Sequence, residues 1–358
     1  NPDFLKPECM GRAVRMLISR SSQPVIVPDQ AWEVGALLSA VSAHVDERHG
    51  ELLLYYLIRY RDRPVDNALC VARSRDGRVW SKPDCGDGTN IVMRSSGHSC
   101  NWGMFMPTSI LKDEREENPD LRWKMVYWDR PDPSMPAGIC LAASVDGISW
   151  TPVHQRPVIT NANDAMSMID GHGSGESPLG SGRIFIYQQT WKYNPSLPMD
   201  RDNLKGMHRR ISIWTVGEFE GTWVGPVVIL EPDAEDDPAT QFYWLTPFRT
   251  RTGGYGGLLN CHHTSDQTMD VQLVRSQDGW SWSRENNREP ILGLGDPGEF
   301  DCGMVVAPAR PINWNGRSLL FYNGRSTVHD GQLRYPESEA PRTAHGIGLA
   351  EFDHGLLE

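Results

Sequence analysis

Short apolar stretches alternate with turn residues along the chain. Leu52–Tyr60, Arg122–Trp128, Arg183–Gln188, Arg210–Thr215, Gly256–Asn260 and Ser318–Tyr322 each read as a strand, and amphipathic helical periodicity is missing between them. With 34 Gly and 26 Pro interrupting these runs, long helices have little room, so the pattern predicts a nearly all-β chain.

One motif organises the strands. Ser74-Arg75-Asp76-Gly77-Arg78-Val79-Trp80, Ser144-Val145-Asp146-Gly147-Ile148-Ser149-Trp150 and Ser276-Gln277-Asp278-Gly279-Trp280-Ser281-Trp282 share the form SxDGxxW, and each follows a strand-like stretch. Asp-Gly makes a tight turn because Gly tolerates positive φ and Asp bonds its own backbone, while the Trp packs back over the turn. The second interval between copies is about twice the first, and Glu218-Phe219-Glu220-Gly221-Thr222-Trp223 fits the gap as a degenerate copy. Repeats at this spacing imply a toroidal or stacked β architecture. Units beginning near Gly35, Gly103, Met166, Thr240 and Asp301 predict an all-β, single-domain, five-bladed β-propeller over residues 1–358. The last unit has three obvious strands, and the N-terminal segment Arg12–Ile18 is expected to close it by covering its open edge. A β-sandwich is the runner-up, but it leaves the periodic turn unexplained.

Charge narrows the partners. A formal charge of −11 without a Lys/Arg-rich run argues against sequence-independent nucleic-acid binding. The longest apolar run, Leu52–Ile58, is too short to cross a bilayer, and residues 1–20 carry no signal-peptide hydrophobic region. Because the chain begins at Asn1 rather than Met, its compartment stays open. The seven scattered cysteines never fall in CxxC spacing and read as free thiols rather than a disulfide framework or zinc site.

In a propeller, the innermost strands converge on the axis, so acids at their starts face one pocket, whereas Asp76, Asp146 and Asp278 belong to peripheral turns. Glu33, with Asp29 beside it, precedes the first inner strand; Asp170 and Glu176 flank the opening of the third, and Asp301 opens the fifth. Paired carboxylates held at different pKa values are what glycoside hydrolysis needs: one protonates the leaving oxygen, the other activates water or attacks the anomeric carbon. Trp32, Asn101, His172, Gln241, Tyr243, His262 and His263 would suit a sugar, and Arg209 and Arg210 an anionic group. A loop contact explains the His pair equally well. No cofactor motif is present, although Asp170, His172 and Glu176 lie close enough in sequence to hold a divalent cation such as calcium.

The chain resembles the five-bladed propeller glycosidases of the family 43/32 type, and more closely a set of uncharacterised bacterial glycosyl-hydrolase-like homologues. The resemblance is carried by residues 28–33, 72–83, 209–211, 241–243, 270–279 and 300–304, and spans about residue 23 to residue 351. It implies hydrolysis or transfer of glycosyl units, often furanosides, with Glu33 or Asp29 as base or nucleophile and Glu176 or Asp170 as proton donor. Asn101 stands roughly where a second-blade acid is expected. The leading expectation is therefore an exo-acting glycoside hydrolase taking a terminal sugar of an oligosaccharide or glycoside. A non-catalytic glycan-binding propeller and a glycoside phosphorylase are the alternatives, the last kept open by Arg209, Arg210 and His263.

Overall fold

A computed structural model describes residues 17–100, 105–160, 162–171, 183–195, 201–341, 343–353 and 356. Almost all of its regular structure is strand. Strand β1 (Leu17–Arg20) is followed by a first sheet of β2 (Leu37–Asp46), β3 (Glu51–Arg59), β4 (Ala68–Ser74) and β5 (Ile91–Arg94), paired in that order. A second sheet comprises β6 (Met106–Lys112), β7 (Trp123–Asp129), β8 (Gly138–Ser144) and β9 (Thr151–Pro152). The third contains β10 (Met166–Asp170), β11 (Ile184–Tyr193), β12 (Met207–Val216) and β13 (Val224–Leu230).

The remaining strands form one nine-stranded sheet. They are β14 (Thr240–Arg249), β15 (Tyr255–His263), β16 (Thr268–Ser276), β17 (Ser283–Arg284), β18 (Met304–Val306), β19 (Ile312–Trp314), β20 (Arg317–Arg325) and β21 (His345–Phe352), with β1 at its end. β16 meets β18 in parallel at Met269 and Met304, while every other pairing is antiparallel between neighbours. β1 pairs with β21 through Leu17–Phe352, Ser19–Glu351 and Arg20–Ala350, so an N-terminal strand does cover the last edge. It lies at 17–20 rather than 12–18, and residues 12–16 fall outside the described set. The architecture is propeller-like, with β2, β6, β14 and β18, and the residues leading into β10, contributing to one central cavity.

β3 shows why the sheets stack. Leu52, Leu54, Tyr56 and Ile58 pack in a core that includes Phe321 and Leu349 of the neighbouring sheet, whereas Leu53, Tyr55 and Leu57 pack with Ile110, Trp123 and Met125 on the other side. Both faces of the strand are covered, so it reads as an unbroken apolar run instead of an alternating one. Each such buried side chain contributes about 1.5–3 kcal/mol by leaving water.

The three SxDGxxW turns are superimposable in their bonding. Ser Oγ accepts the Gly amide at 2.8, 2.9 and 2.8 Å, and Asp Oδ1 accepts two further amides in each copy. The Trp indole N–H closes the turn by donating to the Gly carbonyl at 3.1, 3.0 and 3.0 Å. The glycines take φ of 76°, 79° and 77°, which a side chain would strain. Tyr55 of the first sheet donates to the Gly147 carbonyl of the second at 3.0 Å, and Tyr187 of the third donates to Gly279 at 2.8 Å. Phe321 takes that place against Gly77, without a hydroxyl. The motif is thus a fastener between sheets as well as a turn. Its degenerate copy joins β12 to β13, with Trp223 buried.

Candidate functional site: the central cavity

A cavity of ≈ 290 Å³ opens where the inner strands converge. Its wall takes Ser39 from β2, Arg59 from β3, Thr108 from β6, Tyr243 from β14, and Asn323 and Arg325 from β20, with Asp164 and His329 from flanking loops. Asp164 lies two residues before the start of β10. Burial pushes its carboxyl up to about 7, against the opposing pull of its own backbone amide and of Arg59. A carboxylic acid that keeps its proton near neutrality, at the wall of a cavity, is suited to general-acid chemistry.

Behind that wall lies a polar cluster. The buried Arg209 guanidinium holds both carboxylate oxygens of Asp202 at 2.6 and 2.8 Å and also donates to Gln241 at 2.7 Å and Asn203 at 2.6 Å. The His262 and His329 rings pack 4.5 Å apart beside Tyr243, and Arg209 lies over the Tyr243 face. Burial, aided by Arg209, lowers the His329 pKa to about 4, so the imidazole facing the cavity is a neutral hydrogen-bonding group. Asp202, His262 and His329 bring ligand atoms within 4.8 Å of one another. Because Arg209 occupies both Asp202 oxygens and already supplies the positive charge, the cluster is built as an ion pair rather than as a cation cage.

Below the cavity, Arg310 donates to the Met168 carbonyl at 2.6 Å and the Ile110 carbonyl at 3.4 Å, bridging β10 and β6. Ser109 and Ser42 also bond these carbonyls. These links draw the inner strands together at that end of the axis.

The expected acids lie elsewhere. Glu33 is fully buried and accepts from Lys82 at 2.6 Å, from the Tyr56 hydroxyl at 2.6 Å and from the amides of Asp29 and Gln30. Asp301 is equally buried, accepting from Tyr322 at 2.7 Å and Arg20 at 3.0 Å; burial raises its pKa. Asp170 ends β10 instead of opening the blade, and pairs with Arg115 at 2.6 Å and Arg249 at 2.9 Å. Burial pulls its pKa upward, but Arg249, Arg310 and Arg115 together hold it below the usual carboxylate value. None of these three carboxylates lines the cavity, and no two share a partner. Asn101, His172 and Glu176 lie outside the described residues.

Tyr243 does line the cavity, and Arg209, Gln241 and His262 stand directly behind it. His263 pairs with Asp270 at 2.9 Å and Arg210 with Glu231 at 3.3 Å, both away from the wall. Trp32 donates its indole N–H to Asn90 and borders a separate groove with Tyr60, Arg63 and Arg94. Asp164 was readable as an acid set just before the third inner strand in Asn163-Asp164-Ala165-Met166. Arg59, Arg325 and His329 carry no local signal, since each ends or follows an ordinary strand. The described cysteines are free, as the spacing implies, with Cys70, Cys140, Cys261 and Cys302 buried.

No family model and no curated protein matches the chain. Solved structures do match in fold. One concerns the GH130 family of mannoside phosphorylases, said to contain glycoside hydrolases that target β-1,2 mannosidic linkages in Candida mannan; it is 12% identical, covers 98% of this chain and 96% of its own, and has a TM-score of 0.62. A glycosyl hydrolase from Bacteroides ovatus is 15% identical, with coverage of 96% and 92% and a TM-score of 0.57. An endo-arabinase from Bacteroides thetaiotaomicron is 12% identical, with coverage of 92% and 95% and a TM-score of 0.52. At these identities, the likeness is one of fold, and that fold is glycoside-hydrolase-like, as the sequence resemblance implies.

Proposed function

We propose that the chain is a glycosidase that works in the central cavity, with Asp164 as the proton donor to the glycosidic oxygen. The observation that carries this reading is a carboxyl held protonated near pH 7 on the cavity wall, among hydroxyl, amide and imidazole groups suited to a sugar. The fold shared with glycoside-hydrolase structures supports it, though the site must argue the chemistry.

The ring has five blades in this reading. The nine-stranded sheet divides at its single parallel contact into β14–β17 and a last blade of β18, β20, β21 and β1. One domain then surrounds one axis, and the Arg310 bridge narrows the far end, which favours a chain terminus over the middle of a polymer.

A paired-carboxylate hydrolase needs a second acid beside Asp164. Among the described residues on the cavity wall, Asp164 is the carboxyl present. That single acid favours phosphorolysis as the second reading, because phosphate attacks without a general base. Screening aryl furanosides, aryl pyranosides and oligosaccharides, with and without inorganic phosphate, tests both. Turnover by wild type that disappears in Asp164→Asn supports the assignment. Sugar binding without turnover under either condition would leave a glycan-binding propeller.

A further inference from the structure

Two guanidiniums on the cavity wall lack the partners that other inward-turned arginines have. Arg20 is bonded to Glu299 and Asp301, Arg209 to Asp202, Arg249 to Asp170, and Arg310 to two carbonyls. Arg59 and Arg325, both half-buried, line the cavity with no side-chain hydrogen bond or ion pair among the described residues. Arg61, exposed in the loop after β3, adds a third positive charge within electrostatic reach of Arg325. Burial, with the neighbouring Arg59 and Arg61 acting in the same direction, lowers the Arg325 pKa to about 10. The same three charges, together with burial, keep His345 neutral. Like charges gathered in a partly dry cavity destabilise the fold unless something negative joins them. Asp164 is the acid within reach of Arg59, and it retains its proton near neutrality.

We infer that Arg59 and Arg325, with Arg61 at the rim, form an oxyanion subsite beside Asp164, shaped for a phosphate or for the carboxylate of an acidic sugar. The inference rests on reading the central cavity as the working site. Guanidinium forks recognise both anions through paired N–H donors, so the shared chemistry is a planar or tetrahedral oxyanion next to the proton donor. If the anion is phosphate, its oxygen bonds to the anomeric carbon as the C–O bond to the leaving sugar breaks. Asp164 then passes its proton to the departing oxygen, and the proton of hydrogen phosphate restores the acid. If the anion belongs to the sugar, it anchors the substrate, and water is the acceptor. The water oxygen bonds to the anomeric carbon as the C–O bond breaks, one of its protons leaves to solvent, and Asp164 regains from solvent the proton given to the departing oxygen.

Calorimetric titration and thermal melting of the full chain separate these cases. The probes are inorganic phosphate, glucuronate and galacturonate, with glucose and galactose as neutral controls. Wild type is expected to bind at least one anion, to melt higher in its presence, and to lose the effect with rising salt. Arg325→Met and Arg59→Met should each weaken binding about ten-fold or more. Their melting temperatures without anion should equal or exceed that of wild type, because a repulsion has been removed. Asp164→Asn should still bind. Phosphate binding without preference for uronate over its parent sugar assigns the subsite to free phosphate; the reverse preference assigns it to an acidic sugar. Binding of neither anion by folded wild type, or equal binding by both arginine variants, overturns the inference. Anion binding intact with no turnover of any glycoside would instead overturn the assignment of Asp164 to glycosidic cleavage.

Discussion

Two aspartates, one at the end of β10 and one just before its start, stand in opposite circumstances. At the far end, Asp170 is held by Arg249 and Arg115, with Arg310 nearby, and is kept ionised. Before its start, Asp164 faces the cavity without a fixed cationic partner among the described residues, and burial keeps it protonated up to about pH 7. One strand therefore separates a carboxylate spent on holding the ring together from a carboxyl left poised. Satisfaction of hydrogen-bonding capacity distinguishes them better than residue type or distance from the strand.

The sharpest way to break that contrast is to neutralise each end in turn. Asp164→Asn should lower glycoside turnover about 10²–10⁴-fold while leaving the melting temperature equal or higher, as read by initial rates and calorimetry. Asp170→Asn should do the reverse, sparing the chemical step in protein that remains folded and lowering stability by about 1–3 kcal/mol in urea titration. Equal loss of activity in both variants would erase the distinction.

The pH dependence follows from the direction of the shift. Folding raises the Asp164 pKa from its ordinary 3.8 to about 7, so the folded chain retains a proton that the unfolded chain has released. Stability contributed by Asp164 thus falls as pH rises from about 4 to about 7, and general-acid activity falls as pH passes about 7. Asp164→Asn should remove this descending limb from both profiles. A rate profile in wild type that stays flat between pH 6 and 8 would argue against Asp164 as the donor.

Glu33 sharpens the comparison from the buried side. Glu33→Gln removes one of the two carboxylates paired with Lys82, which is 4% exposed, and leaves it the solvent-facing Asp29 at 2.6 Å, so it should cost about 1–3 kcal/mol in denaturant unfolding, without a change in the pH profile of activity. The smallest effect is expected at the sheet fasteners. Tyr187→Phe removes the hydroxyl donated to the Gly279 carbonyl and should cost about 1 kcal/mol, whereas Phe321, which has no such bond to Gly77, marks the same position as tolerant of the loss.

Much of the scaffold was legible from the chain itself. The SxDGxxW spacing and the apolar runs located strands whose observed starts at Leu37, Met106, Met166, Thr240 and Met304 lie within a few residues of the expected units. Turn chemistry is local, with Ser, Asp, Gly and Trp satisfying one another within seven residues, so it survives in any single sequence. Tyr243 was placed at the pocket for a related reason, since it opens an inner strand. Glu33 and Asp301 have the same local look of acids beside Gly and aromatics, but the tertiary structure brings Lys82 and Tyr56 to one and Arg20 and Tyr322 to the other.

Composition, turn grammar and hydrophobic pattern therefore determined an all-β chain, its strand order and its repeat. Only the closed arrangement of sheets decided which charges are spent and which remain, because Arg59, Asp164 and Arg325 are far apart in sequence and meet at one cavity. A carboxyl's availability depends on partners delivered by other strands, and that is a property of three-dimensional neighbourhood, which spacing along the chain does not encode.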